Sequence, residues 1–186
     1  PSGGGRGGTL DGVTLEAVVR VKNQANLRVV GGLTLNSLLT IGGTDYTYDY
    51  GLVYCIGTQV WSGTGQIVLD NALGGIYLGT LDWLGNIGAG DGQTLTLGSD
   101  LTTRGRAGTL NCRGGTILNQ GKILSDVSGG LVELDIGNGS FTNIALMRVA
   151  SGASLKVGSG KWANTGSFEI DGGALTLVGT TTTANL

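Results

Sequence analysis

The sequence contains no histidine, which removes every His-dependent triad, dyad and metal site from consideration. The basic side chains placed to act as proton acceptors are Arg104, Arg106 and Arg113. Arg104 and Arg106 alternate, so on a strand both point to one side. A polysaccharide lyase would need such a base, often with clustered carboxylates that hold Ca²⁺. No run of acids stands near these arginines, and Asp100 is alone. They therefore read as a solvated basic patch. The stretch Gly88-Ala89-Gly90-Asp91-Gly92 has the composition of a calcium-binding nonapeptide but occurs once, so it reads as a turn. Thr94, Thr96 and the run Thr180 to Thr183 do not form a multi-coil threonine column of the kind that orders water, and read as outward strand positions. No catalytic residue, metal ligand or cofactor site is assigned, and the chain is expected not to be an enzyme.

The strongest ligand candidates are Tyr46, Tyr48 and Tyr50, with Tyr54 nearby and Asp45 and Asp49 between them. Alternation puts the first three rings on one side of an extended stretch. Aromatic rings beside carboxylates suit a sugar or a protein surface. The competing reading is a loop that packs its own rings over the fold.

The elements that would carry these residues are short. The chain has 186 residues, 38 of them glycine, with 40% hydrophobic and 13% charged residues. Glycine without a Gly-X-Y period is not collagen, and so apolar a chain is not a disordered tail. The net charge of −2 does not favour nucleic acid or an anionic membrane. No apolar run approaches the ~18 residues of a membrane-spanning helix. Cys55 and Cys112 read as buried small hydrophobes, with a disulfide as the alternative. Val13-Thr14-Leu15, Leu27-Arg28-Val29, Leu33-Thr34-Leu35, Leu39-Thr40-Ile41, Leu95-Thr96-Leu97, Leu155-Lys156-Val157 and Leu175-Thr176-Leu177 alternate apolar and polar residues. Each predicts a short strand with one buried face, bounded by glycine turns.

Joint repetition separates a solenoid from a sandwich or barrel. Asn119, Asn143 and Asn164 are spaced by 24 and 21 residues. Ile117, Phe141 and Trp162 precede them by two; Ile123, Met147 and Phe168 follow by four. Leu134, Val157 and Leu177 form a further column. Coils that place equivalent residues above one another at the strand spacing require this pattern. The asparagines are then expected to form a side-chain ladder along the axis. The prediction is an all-β parallel β-helix of roughly eight coils of about 20–24 residues, one domain over 1–186, with loop excursions at 44–56 and 82–92.

Several phrases resemble very large secreted repeat proteins of bacteria, similar in style to autotransporter passengers and filamentous-haemagglutinin-like adhesins. They are Gly57-Thr58-Gln59-Val60-Trp61-Ser62-Gly63-Thr64-Gly65-Gln66-Ile67-Val68, Leu95-Thr96-Leu97-Gly98 to Thr102-Thr103-Arg104-Gly105, and Ile117-Leu118-Asn119-Gln120-Gly121-Lys122-Ile123. The block Phe141-Thr142-Asn143 through Ala153-Ser154-Leu155 also fits. The resemblance implies a right-handed parallel β-helix, secretion or display at the bacterial cell surface, and a structural or adhesive task. Right-handedness also follows the general preference of parallel crossovers. It implies no catalytic residue.

A solenoid exposes unpaired backbone groups and apolar side chains at each end. The sequence shows no polar cap, so both edges are expected to be covered. The cover is either neighbouring coils of a longer chain or copies stacked head to tail into a polymer. The leading expectation is a structural repeat of an extracellular fibre or giant surface protein. The alternatives are an adhesin module that binds a glycan or protein through the Tyr-rich loop and, behind it, a lyase-type enzyme. No nucleic acid or membrane insertion is expected.

Overall fold

The computed structural model describes residues 7–45, 48–79 and 90–183, all of them strands, turns and bends without a helix. Among the described residues nineteen strands form one continuous, parallel-paired sheet that winds into a three-faced solenoid. The first face stacks the leading part of β1 (Gly7–Leu15) on that of β3 (Ala25–Leu35), followed by β5 (Gly51–Ile56). It continues through the trailing parts of β7 (Gln66–Leu78) and β9 (Thr102–Asn111), then β12 (Leu131–Asp135), β15 (Ser154–Val157) and β18 (Ala174–Leu177). The second face takes the trailing parts of β1 and β3, β6 (Gln59–Ser62) and β8 (Thr94–Leu97). It ends with β10 (Thr116–Asn119), β13 (Ser140–Asn143), β16 (Lys161–Asn164) and β19 (Thr180–Thr183). The third face runs from β2 (Val19–Val21) and β4 (Leu38–Ile41) through the leading parts of β7 and β9. Then come β11 (Lys122–Ser125), β14 (Leu146–Val149) and β17 (Ser167–Ile170).

The strands are parallel because every coil returns in the same direction after three turns. Each strand buries alternate side chains: β4, β8 and β15 all read half-buried, buried, half-buried, buried. The inward set forms one axial core from Val21 to Trp162. Its columns include Ile117 on Phe141 on Trp162, Ile123 on Met147 on Phe168, and Leu134 on Val157 on Leu177.

There are about seven turns, fewer than the roughly eight expected. The reason is two long coils. Leu27 and its partner Val53 are 26 residues apart, and Ile76 and Leu110 are 34 apart. The excursion expected at 44–56 is shorter than that range, because Gly51–Ile56 is β5 and pairs with β3 and β7. Gly51 has no room for a side chain: a Cβ there would run into the Val21 carbonyl. Of the second excursion, 82–92, residues 82–89 lie outside the described residues. The chain rejoins the stack where the Gly90 N–H donates to the Arg113 carbonyl at 2.6 Å.

Candidate functional site

The asparagine column lies at the inner corner that ends each second-face strand, fully buried at Asn119, Asn143 and Asn164. Asn119 Nδ2 donates to Asn143 Oδ1 at 2.7 Å, and Asn143 Nδ2 donates to Asn164 Oδ1 at 2.7 Å. Each Nδ2 also donates to the carbonyl two residues on, at Gly121, Ala145 and Gly166. One side chain therefore closes its own turn and binds the next coil. This supplies partners for buried amides that would otherwise be costly. Asn119 Oδ1 ends the ladder without a donor, because the residue beneath it is Leu97.

The tyrosines do not form one exposed cluster. Tyr46 lies outside the described residues. Tyr48 is 64% exposed, and Tyr50 is half-buried with its carbonyl accepting the Gln24 N–H at 2.8 Å. Tyr54 belongs to β5, where it is buried and packs its ring 5.9 Å from Tyr77. Asp45 contributes its backbone carbonyl to Asn71 Nδ2 at 2.9 Å. Asp49 turns toward Lys22, 3.8 Å away. The loop is thus held from behind by the buried Asn71, which also donates to Gly43 O, and among the described residues Tyr48 is the ring it presents to solvent.

Arg104 and Arg106, read from the sequence as part of a solvated basic patch, are partly exposed and ion-paired. Arg104 meets Asp126 of the following coil at 2.6 Å, and Arg106 meets Asp70 of the preceding coil at 3.1 Å. Arg148 with Glu169 and Asp171, and Lys156 with Glu133, make the same cross-coil connection. These partners stand about one coil away in sequence, so local spacing did not reveal them. Arg113 adopts a left-handed backbone (φ 44°). Asn111 Oδ1 accepts its N–H at 3.0 Å, and Asn111 Nδ2 donates in turn to Asp135 Oδ2 at 2.6 Å. Burial raises the phenol pKa values of Tyr54 and Tyr77, helped at Tyr54 by the Tyr77 phenol and at Tyr77 by Asp135, and Arg113 opposes both.

Several polar groups escaped the sequence reading. Gln59 faces the core, accepts the Trp61 indole N–H at 3.0 Å and donates to the Val29 and Ile56 carbonyls. Asn71 and the Asn111–Asp135 pair also escaped. Only the Tyr54–Tyr77 pair left a signal: Val53-Tyr54 and Ile76-Tyr77 repeat at the 23-residue coil spacing.

The cysteines are free and buried. Cys55 stacks between Val29 and Leu78, and Cys112 Sγ donates to the Ser140 carbonyl at 3.2 Å. Burial pushes the Cys112 thiol up from 9.0 to about 12, and Cys55 higher still. An acid whose pKa is higher folded than unfolded holds its proton longer in the folded state. The stability it carries is complete below pH 9 and drains as pH rises toward the folded value. The buried tyrosines act with the same sign above 10. Urea midpoints measured from pH 7 to 11 are expected to hold to about pH 9 and then fall. Neither thiol should react with a thiol reagent until the chain is unfolded. Fast labelling of the native protein at neutral pH would contradict this burial.

Surface hollows lie among the described residues, three of them large enough to describe. One of about 310 Å³ is lined by Ala107, Gly108, Leu131 and Glu133; one of about 240 Å³ by Leu124, Asp126 and Arg148; one of about 350 Å³ by glycines, Asn138 and Lys161. None of the three brings two carboxylates together. Among the described residues no group of three or more His, Cys, Asp or Glu is placed to hold a metal ion. No protein-family model, curated protein or solved structure matches the chain.

Proposed function

We propose that this chain is a structural, axially extending segment of a bacterial fibre or giant surface protein. The observation that carries the reading is the continuity of the three faces. Core columns, the asparagine ladder and outer ion pairs all connect one coil to the next along a single axis. Such a stack resists extension through many parallel backbone ladders at once. Display outside the cell is supported by the resemblance to secreted repeat proteins. Antibodies raised against the purified chain should label intact producing cells or their shed fibres. Label confined to the cytoplasm after lysis would overturn the reading.

A second reading, an adhesive contact, is favoured by one observation: Tyr48 is 64% exposed on a loop fastened by Asn71. Tyr48→Ala should then reduce binding to a glycan array or host-protein panel without shifting the unfolding midpoint. Unchanged binding would dismiss it.

A further inference from the structure

The corner where each third-face strand turns into the next first-face strand is uneven. The register pairs Asp70 with Ala107 and Gly75 with Thr109. Asn71 to Gly74 are therefore additional residues that stand out beside Gly108, and Leu73 among them is 55% exposed. This knob is held in place from below. Asn71 is fully buried, accepts the Leu73 N–H at 2.9 Å and donates to the Gly43 and Asp45 carbonyls of the preceding coil. The next coil makes the same corner without a turn, because β9 runs on through Arg106 and Ala107. The coil after that stands out again at Asp126 to Gly130, between β11 and β12. Knob and turn are two strand spacings apart, roughly 10 Å. Between them lies the hollow of about 310 Å³, floored by Ala107, Gly108 and Thr109.

Along this ridge, coil by coil, the order is Tyr48, Leu73, the hollow, then Val127 with Leu131. All four side chains are exposed. The order is self-complementary. A two-fold axis perpendicular to the solenoid axis, set between the knob coil and the hollow coil, turns a second copy end for end. It places Leu73 of each copy over the hollow of the other, because knob and hollow both stand level with Gly108 across the ridge. It also places Tyr48 of each copy over Val127 of the other. Charge follows the same rule. Asp70 belongs to the knob coil and Arg106 to the hollow coil, and they meet at 3.1 Å across the position of that axis. Asp70 of one copy then faces Arg106 of the other, which makes four alternating charges. Further out, the exposed Asn23 and Gln24 come to Ser151 of the other copy, a polar rim around the apolar contacts.

We propose that this ridge is a lateral interface between two antiparallel copies of the chain. The contact is isologous and closes at two. Leu73 in the hollow is the anchor, and the Asp70–Arg106 pairs fix the offset along the axis. Asn71 sets the shape of the knob within one copy, so little ordering entropy opposes association. An unrelated protein would engage the knob or the hollow singly. A second copy engages both at once and matches the charges, which assigns the partner as this chain. The proposal goes beyond axial extension and does not depend on it.

Sedimentation of the purified chain over a wide concentration range, with pairwise cross-linking, tests the proposal. A monomer–dimer equilibrium is expected. Leu73→Asp should weaken it by about tenfold or more. Circular dichroism and the urea midpoint should stay unchanged, since the side chain is already exposed. The Tyr48→Cys and Val127→Cys variants should cross-link under mild oxidation when mixed, and neither should cross-link with itself. The native cysteines are buried and do not compete. Cross-linking of Tyr48→Cys with itself would overturn the antiparallel arrangement. A monomer at every concentration, or a dimer that Leu73→Asp leaves intact, would overturn the interface. Surface labelling of cells is independent of these results, so the structural reading fails or survives separately.

Discussion

Phe141→Ala is expected to destabilise the fold by about 3–5 kcal/mol, read as a lowered urea midpoint at neutral pH. The ring lies between Ile117 and Trp162 in one column, and all three are buried. Their backbones are held at the strand spacing by ladders above and below. The coil cannot contract into the space that an alanine leaves, so the cavity term is kept in full. Phe168→Ala is the matched comparison. Phe168 packs edge-on against Trp162 with centroids 6.5 Å apart, but it sits in the outermost described coil and is half-buried. Its loss should cost less than half as much, because part of the ring is already exposed. A Phe168 penalty equal to that of Phe141 would contradict its partial exposure.

Asn143→Leu is expected to cost about 2–4 kcal/mol, more than Asn119→Leu. Leucine is the natural occupant of this column one coil below Asn119, at Leu97, so size and burial are compatible. The penalty comes from the partners left behind. Removing the central amide takes one donor each from Asn164 Oδ1 and the Ala145 carbonyl, and takes an acceptor from Asn119 Nδ2 and from the Ala145 N–H. Removing Asn119 takes away a donor to Asn143 and Gly121, but it also removes an oxygen that already lacks a donor. Equilibrium unfolding of the two variants decides this. If Asn119→Leu proved as damaging as Asn143→Leu, the ladder would not be a directional chain of amides.

The two pairs of predictions show where the sequence speaks clearly. Ile117, Phe141 and Trp162 are legible as a column because three successive coils have nearly the same length. The same columns continue through Leu95 and Leu97 but are hidden there. The 34-residue coil from Ile76 to Leu110 breaks the count, and a repeat is visible only while its period holds. The tyrosines mislead for a related reason. Tyr48, Tyr50 and Tyr54 are near neighbours in the chain, but β5 begins between them and turns Tyr54 onto Tyr77 of the next coil.

By itself the sequence determined the class of fold. Inward leucines and valines at every second position and glycine at corners specify short, one-sided strands, and their common period specifies a stack. Tertiary structure decided everything that depends on which residue lies one coil away. Arg104 finds Asp126, Arg106 finds Asp70, Cys55 finds Leu78 rather than Cys112, and Arg20 and Glu169 come to opposite ends of one column. The physical reason is that coils contact each other at a spacing of about 4.8 Å in space but 19 to 37 residues in sequence. Each added or missing residue in a turn shifts every partner beyond it, so side-chain chemistry is set only after the register is.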